Sequence, residues 1–190
     1  SKAINSLSAI PSDATLLTTL EPCNHHGKTE PCSDLIIKSG IKNVVFSITD
    51  PNPIAQGGSK KLRDAGVKVT GGVLTEKVEF TNRYWLQKIK TGRPYFTWKI
   101  AMTLDGKIAA SDGTSKWITS MESRSEVSKL RAQADAVLIG TGTALADNPN
   151  LIPRDLETTR QSNTVRIVMG LRDIPSDFNL NNDDAETVFL

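Results

Sequence analysis

The chain of 190 residues is poor in several things, and each shortage narrows what it can be. It has two cysteines and two histidines, all four within TLEPCNHHGKTEPC (19–32). That is too little for a secreted disulfide scaffold, so the cysteine pair reads as a cytoplasmic dithiol or metal site. Neither sign of charge dominates: 23 basic against 21 acidic residues leave +2, and the longest basic run is Lys60-Lys61. Such balance argues against nucleic acid as a partner. No apolar run approaches the ~20 residues that span a bilayer, and no charged, apolar, small-residue secretory signal is present, so no membrane partner is expected. An initiator methionine is also missing, since the sequence opens on Ser1. The chain is therefore expected to be an internal piece of a longer protein. Its length suits one large domain or two small ones.

What is present alternates strand-like and helix-like stretches. Residues 3–9 (AINSLSA) resemble the end of a helix that Pro11-Ser12-Asp13 breaks. ATLLTTL (14–20) predicts a buried strand delivering Glu21-Pro22-Cys23 at its C-terminal end, where chemistry in α/β folds is commonly placed. SDLIIKSG (33–40) predicts a helix with Cys32 just ahead of it, so that a thiolate would face the positive end of the helix dipole. NVVFSIT (43–49) and VKVTGGV (67–73) predict two more strands around a helix over 58–66. Alternation of this kind implies parallel strands in an α/β layer. An amphipathic helix over 75–92, anchored by Val78, Tyr84, Trp85 and Ile89, ends at Gly92 before Pro94 and marks a boundary between units 1–92 and 93–190. Beyond it, YFTWKIAMTLDGKIA (95–109) predicts a strand with an Asp-Gly turn. Residues 119–149 read as a helix capped by Thr119 or Ser120, a strand and a Gly-Thr-rich loop, and 164–170 as one further strand.

Catalytic zinc takes about three protein ligands and leaves one position for water, and thiolates suit it. Cys23 and Cys32 supply two. His25 or His26 is a candidate third, although His25 lies only two residues from Cys23, a tight loop for joint coordination. Two free thiols in a loop remain the alternative. A strand leading into Pro-Cys, with a later cysteine at a helix start, matches the second half of the zinc deaminase signature H-x-E…P-C-x-x-C, in which the glutamate moves protons without binding metal. Here eight residues, not two, separate the cysteines.

With that long spacing, TLEPCNHHGKTEPCSD resembles the bifunctional riboflavin-biosynthesis deaminase/reductase family. The resemblance continues through ITDPNP, Gly57-Gly58, RPYFTWKIAMTLDGKIA, SKWITS, KLRAQADAVLIGTGTALADNPNL and Arg154. It implies a cytidine-deaminase-like α/β/α layer followed by a truncated dihydrofolate-reductase-like domain. The implied activity is zinc-dependent deamination of diaminohydroxyphosphoribosylaminopyrimidine, then NADPH-dependent reduction of the ribosyl group to ribityl. By resemblance Cys23 and Cys32 are zinc ligands, and His25, Lys28 and Thr29 contact the substrate. Ser115, Arg131, Leu151 and Arg154 also fall at the substrate, with Ala101, Trp117, Thr143 and Asp147 at NADP. The first zinc ligand and the catalytic glutamate belong to a His-Ala-Glu segment expected before Ser1, so no catalytic residue is assigned within this chain, and the isolated chain is expected to be inactive.

The physical chemistry suits several of these roles and leaves plainer ones open. Arg131 and Arg154 offer bidentate donors for a phosphate, and Trp117 an aromatic face and an N–H. Arg131 could equally be a helix-surface charge, Trp117 a core packer, Lys28 a solvated lysine and Asp105-Gly106 only a hairpin turn. Glu21 reads as a structural hydrogen-bonding residue rather than a substitute base. Two other readings compete: a zinc-binding remnant without turnover, and a zinc deaminase of another nucleobase. The expected partner is a small phosphoribosylated pyrimidine, and homo-oligomerisation is left open.

Overall fold

The computed structural model describes residues 2–154 and 164–190, so Ser1 lies outside the described residues. They divide into two compact units, Ser1–Trp98 and Lys99–Leu190.

The first unit runs α1 (Lys2–Asn5), β1 (Thr15–Leu20), α2 (Cys32–Lys38), β2 (Asn43–Ile48), α3 (Gly58–Asp64), β3 (Lys68–Thr70), α4 (Thr75–Thr81) and α5 (Arg83–Thr91). The strands form one parallel sheet in the order β1-β2-β3, with Thr15 opposite Asn43 and Asn43 opposite Lys68. Parallel neighbours cannot be joined by a hairpin, so α2 and α3 serve as the crossovers. The α/β layer expected from the alternating pattern is therefore present. Ile36 of α2, Val44 of β2, Leu62 of α3, Ile41 and Val67 form the buried core. Sealing a side chain such as Leu62, fully enclosed, stabilises the unit by about 1.5–3 kcal/mol. An ion pair between Lys61 Nζ and Asp34 Oδ1, 2.6 Å, also links the two helices.

Four details differ from the sequence reading. β1 lies at the sheet edge, so its side chains alternate between half-buried and exposed, and Leu17 is 72% exposed where a buried strand was predicted. Cys32 is the first residue of α2 rather than the one before it. The helix predicted over 75–92 is two helices that meet at Asn82, whose ψ of 10° leaves the helical range. Just ahead, the Thr81 hydroxyl donates to the Lys77 carbonyl at 2.9 Å, a back-bond that bends helices. Leu86, unmarked in the sequence reading, is the buried anchor of α5, whereas Tyr84 is exposed and meets Tyr95 edge-on at 4.8 Å. The stop at Gly92 is as predicted, with a φ of +69° that glycine adopts without strain.

The second unit holds α6 (Met121–Gln133), β4 (Ala136–Gly140), α7 (Thr141–Asp147), β5 (Val165–Met169) and β6 (Thr187–Phe189). Its strands are parallel in the order β4-β5-β6. Ser120 caps α6 by accepting the Ser123 N–H at 3.3 Å. Ala144, Leu151, Val168 and Leu180 make the core. Residues 95–109 do not form the predicted strand. The Asp-Gly turn exists, closed by Gly106 N–H to Thr103 O at 2.9 Å, but its flanks pair with no strand of this sheet, and Trp98 is 86% exposed. A strand needs a ladder partner as well as the right residues. The Gly-Thr stretch predicted as a loop instead opens α7. Arg166 on β5 is buried: Nη1 donates to Asn182 Oδ1 at 2.8 Å and Asn179 O at 3.0 Å, and Nη2 to Asn182 O at 2.8 Å, fastening the run before β6 to the sheet. Burial pulls its guanidinium below the ordinary arginine range, opposed by the charge of Asp184. No helix among the described residues is long and apolar enough to cross a membrane.

Candidate metal centre and ligand sites

β1 delivers Glu21, Pro22 and Cys23 at its C-terminal end, and the Glu21 N–H continues the ladder by bonding Ile48 O at 2.9 Å. Two contacts then fix the turn. Glu21, 4% exposed, accepts the Ser59 N–H of α3 on Oε1 at 2.8 Å, while its Oε2 is buried with no partner. A Cβ placed on Gly58 would lie 1.7 Å from the Pro22 carbonyl oxygen, so α3 can begin here only with glycine. The backbone of Cys23 is in turn held against α2, its carbonyl accepting Ser33 N–H at 3.1 Å.

Cys32 donates its backbone N–H to the sulfur of Cys23 at 3.4 Å, placing both half-buried, unbridged cysteines at the positive end of α2. Burial, and then the neighbouring Cys23 thiol, pushes the Cys32 thiol up. In donor chemistry the pair fits zinc: two sulfurs that would exchange protons for a soft-to-borderline cation. It supplies two of the three protein ligands, because among the described residues no group of three or more His, Cys, Asp or Glu comes together. His25 is half-buried with its Nδ1 lacking a partner, and His26 is exposed; neither joins the cysteines in such a group.

His25, Lys28 and Thr29 share the loop between β1 and α2, which Gly27 N–H to Thr29 O at 3.2 Å tightens. Lys28 and Thr29 are exposed. The sequence reading missed Asn24, which ties this loop down: its N–H bonds Ala55 O at 3.0 Å and its Oδ1 accepts the Ser33 hydroxyl at 3.3 Å. Only its place beside Cys23 could have signalled it.

In the second unit, a cleft of about 730 Å³ is lined by Thr103, Asp105, Lys107, Ser115 and Trp117, among others. It brings Ser115 and Trp117 together. Trp117 is 70% exposed and carries the Arg124 guanidinium 4.3 Å from its ring centroid, so it is not the core packer that the plainer reading allowed. Ala101 is half-buried in the run before this cleft. Thr143 and Asp147, both exposed, occupy the first turn and last residue of α7. Leu151, 4% exposed with φ +64°, packs its side chain into the core. Arg131 on α6 is half-buried and Arg154 exposed; burial, and then the charge of Arg154, hold the Arg131 guanidinium below its ordinary value. Arg172 was not marked in the sequence. Its Nη2 would sit 2.8 Å from a Cβ on Gly142, so the guanidinium lies over the first turn of α7.

Known proteins divide the chain in the same sense. Residues 2–48 match the cytidine and deoxycytidylate deaminase zinc-binding region, and residues 94–190 match the RibD C-terminal domain. The riboflavin biosynthesis protein RibD of Mycobacterium tuberculosis is 43% identical over 190 residues, 99% of this chain and 56% of that protein. RibD of Aquifex aeolicus is 46% identical over 180 residues, covering 93% and 50%. A crystal structure from Thermotoga maritima, described as a diaminohydroxyphosphoribosylaminopyrimidine deaminase/5-amino-6-(5-phosphoribosylamino)uracil reductase, superposes with a TM-score of 0.82 at 42% identity over 90% of this chain and 50% of its own. The chain thus spans about half the length of the relatives it matches. With a deaminase zinc-binding region around the cysteine pair and a RibD C-terminal domain over the whole second unit from Lys99 onward, the chain belongs to the RibD family.

Proposed function

We propose that the protein carrying this chain acts in riboflavin biosynthesis, deaminating a phosphoribosylaminopyrimidine with zinc and then reducing its ribosyl group with NADPH. The two matched domains imply zinc and NADPH in the RibD family. The observation that carries the deaminase half is the Cys32 N–H bond to Cys23 Sγ at the head of α2, inside the segment that matches a zinc-binding region. Cys23 and Cys32 hold the metal. Zinc, when bound, supplies Lewis-acid activation of the water that replaces the ring amino group. Glu21 is committed to the Ser59 N–H and is not the proton-moving carboxylate. His25, Lys28 and Thr29 form a substrate loop in which the lysine and threonine are free to meet an anion.

In the reductase half, Ala101, Trp117, Thr143 and Asp147 serve NADPH, while Ser115, Arg131, Leu151 and Arg154 serve the substrate. Hydride transfer needs orientation more than acid or base from the protein, and the exposed Trp117 face beside Ser115 supplies a surface for it. The boundary after Gly92 and a cytoplasmic location belong to the same proposal. A zinc-binding remnant without turnover is the second reading.

The test uses the full reading frame that encodes this chain. With the phosphoribosylaminopyrimidine supplied, ammonia release that stops on zinc removal, followed by NADPH oxidation, is the expected result. Bound zinc with no ammonia release would support the remnant and refute the proposal.

A further inference from the structure

Ser128 and Arg131 stand one turn apart on the same side of α6. The Ser128 hydroxyl accepts the Arg154 N–H at 2.6 Å and donates to the Arg154 carbonyl at 2.5 Å. Both backbone polar groups of a residue 26 positions away are thereby clamped by one side chain. The run leading to Arg154 is held at its other end by Leu151, buried in the core at 4% exposure. Nothing in the sequence singled out Ser128, one of several small polar residues in MESRSEVSKLRAQ.

We propose that Ser128 is a positioning residue that holds Arg154 beside Arg131, so that the two guanidiniums grip one phosphomonoester, the phosphate of the sugar substrate. This rests on the assignment of both arginines to the substrate under the proposed function. Two like charges held together are unfavourable until an anion joins them, and the depressed Arg131 guanidinium reflects burial first and that repulsion second. A phosphate dianion relieves it through charge-assisted bonds to both forks. Arg154 lies in irregular backbone after Leu151, and without the Ser128 clamp its entropy would oppose the second contact.

The product of the full reading frame that encodes this chain is titrated calorimetrically with two probes, ribose 5-phosphate for the substrate phosphate and 2′,5′-ADP for the cofactor phosphate. Ser128→Ala is expected to weaken ribose 5-phosphate binding about tenfold, the scale of one or two hydrogen bonds, and to leave 2′,5′-ADP unchanged. Arg154→Ala should weaken it at least as much, and the double variant no further, because both changes act through one contact. Ser128→Thr, which keeps the hydroxyl, should restore binding. If Ser128→Ala unfolds the protein, Ser128→Cys, similar in shape with a far weaker hydrogen-bonding group, replaces it. Additive losses, or unchanged ribose 5-phosphate binding in Ser128→Ala, would overturn the positioning role alone. Wild-type protein that ignores ribose 5-phosphate, or a loss confined to 2′,5′-ADP, would overturn the arginine assignment as well.

Discussion

A single methyl group at position 58 is enough to test how the cysteine turn is held. The Pro22 carbonyl oxygen lies 1.7 Å and its carbonyl carbon 2.9 Å from where that carbon would sit, and both are backbone atoms, so neither can swing aside. Gly58→Ala is expected to destabilise the first unit by about 2 kcal/mol or more, read as a lower urea midpoint. The thiol pair carries a second prediction. Burial favours neutral Cys32, so it titrates above its ordinary 9.0 in the folded chain. The stability this contributes is present below 9.0 and is lost as the pH rises from there through the folded value. The metal-free chain should therefore show a falling urea midpoint across that window, and Cys32→Ser should flatten the slope. That Cys23 and Cys32 lie together was legible because a Pro-Cys after a strand, with a second cysteine at a helix start, is a chemical pattern. Glu21 reads from the sequence as a structural hydrogen-bonding residue and is one, but its partner Ser59, 38 positions away, was not legible, since nothing local names the distant N–H that it reaches.

At the level of elements, hydrophobic run and cap chemistry predicted well wherever local preference and tertiary need agreed. β2 and β5 are β-branched runs buried in the middle of their sheets, and α6 begins where Ser120 can cap it. Ser120→Ala should cost about 1 kcal/mol, measured by denaturant unfolding of the second unit's signal, because one N–H of the first turn loses its acceptor. Preference failed where pairing decided. Residues 95–109 have the composition of a strand but gain no ladder partner in this sheet, whereas the three residues of β6, set in a polar run, become a strand because Arg166 brings their neighbours to β5. The Gly-Thr stretch opens α7 instead of a loop, and its neighbour Arg172, whose Nη2 lies over Gly142, is invisible in GTGTALAD.

For the whole molecule, two units have separate cores and separate parallel sheets, the first holding the cysteine pair and the second the exposed indole of Trp117 and the arginines Arg131 of α6 and Arg154. Composition alone already turned away from nucleic acid and membrane partners as expectations, and the order of motifs along the chain pointed to the RibD family. The arrangement of side chains in the second unit was less legible: Ser115 and Trp117 line one cleft and Ser128 bonds the backbone of Arg154, yet Leu151 turns its side chain inward. The claim on which the rest depends is that Cys23 and Cys32 jointly hold zinc. X-ray absorption on the zinc-loaded product of the full reading frame measures this directly. Two sulfur ligands at about 2.3 Å, with one lost in each of Cys23→Ser and Cys32→Ser, is the predicted result; zinc bound through nitrogen and oxygen alone, with a spectrum that neither substitution alters, would contradict it.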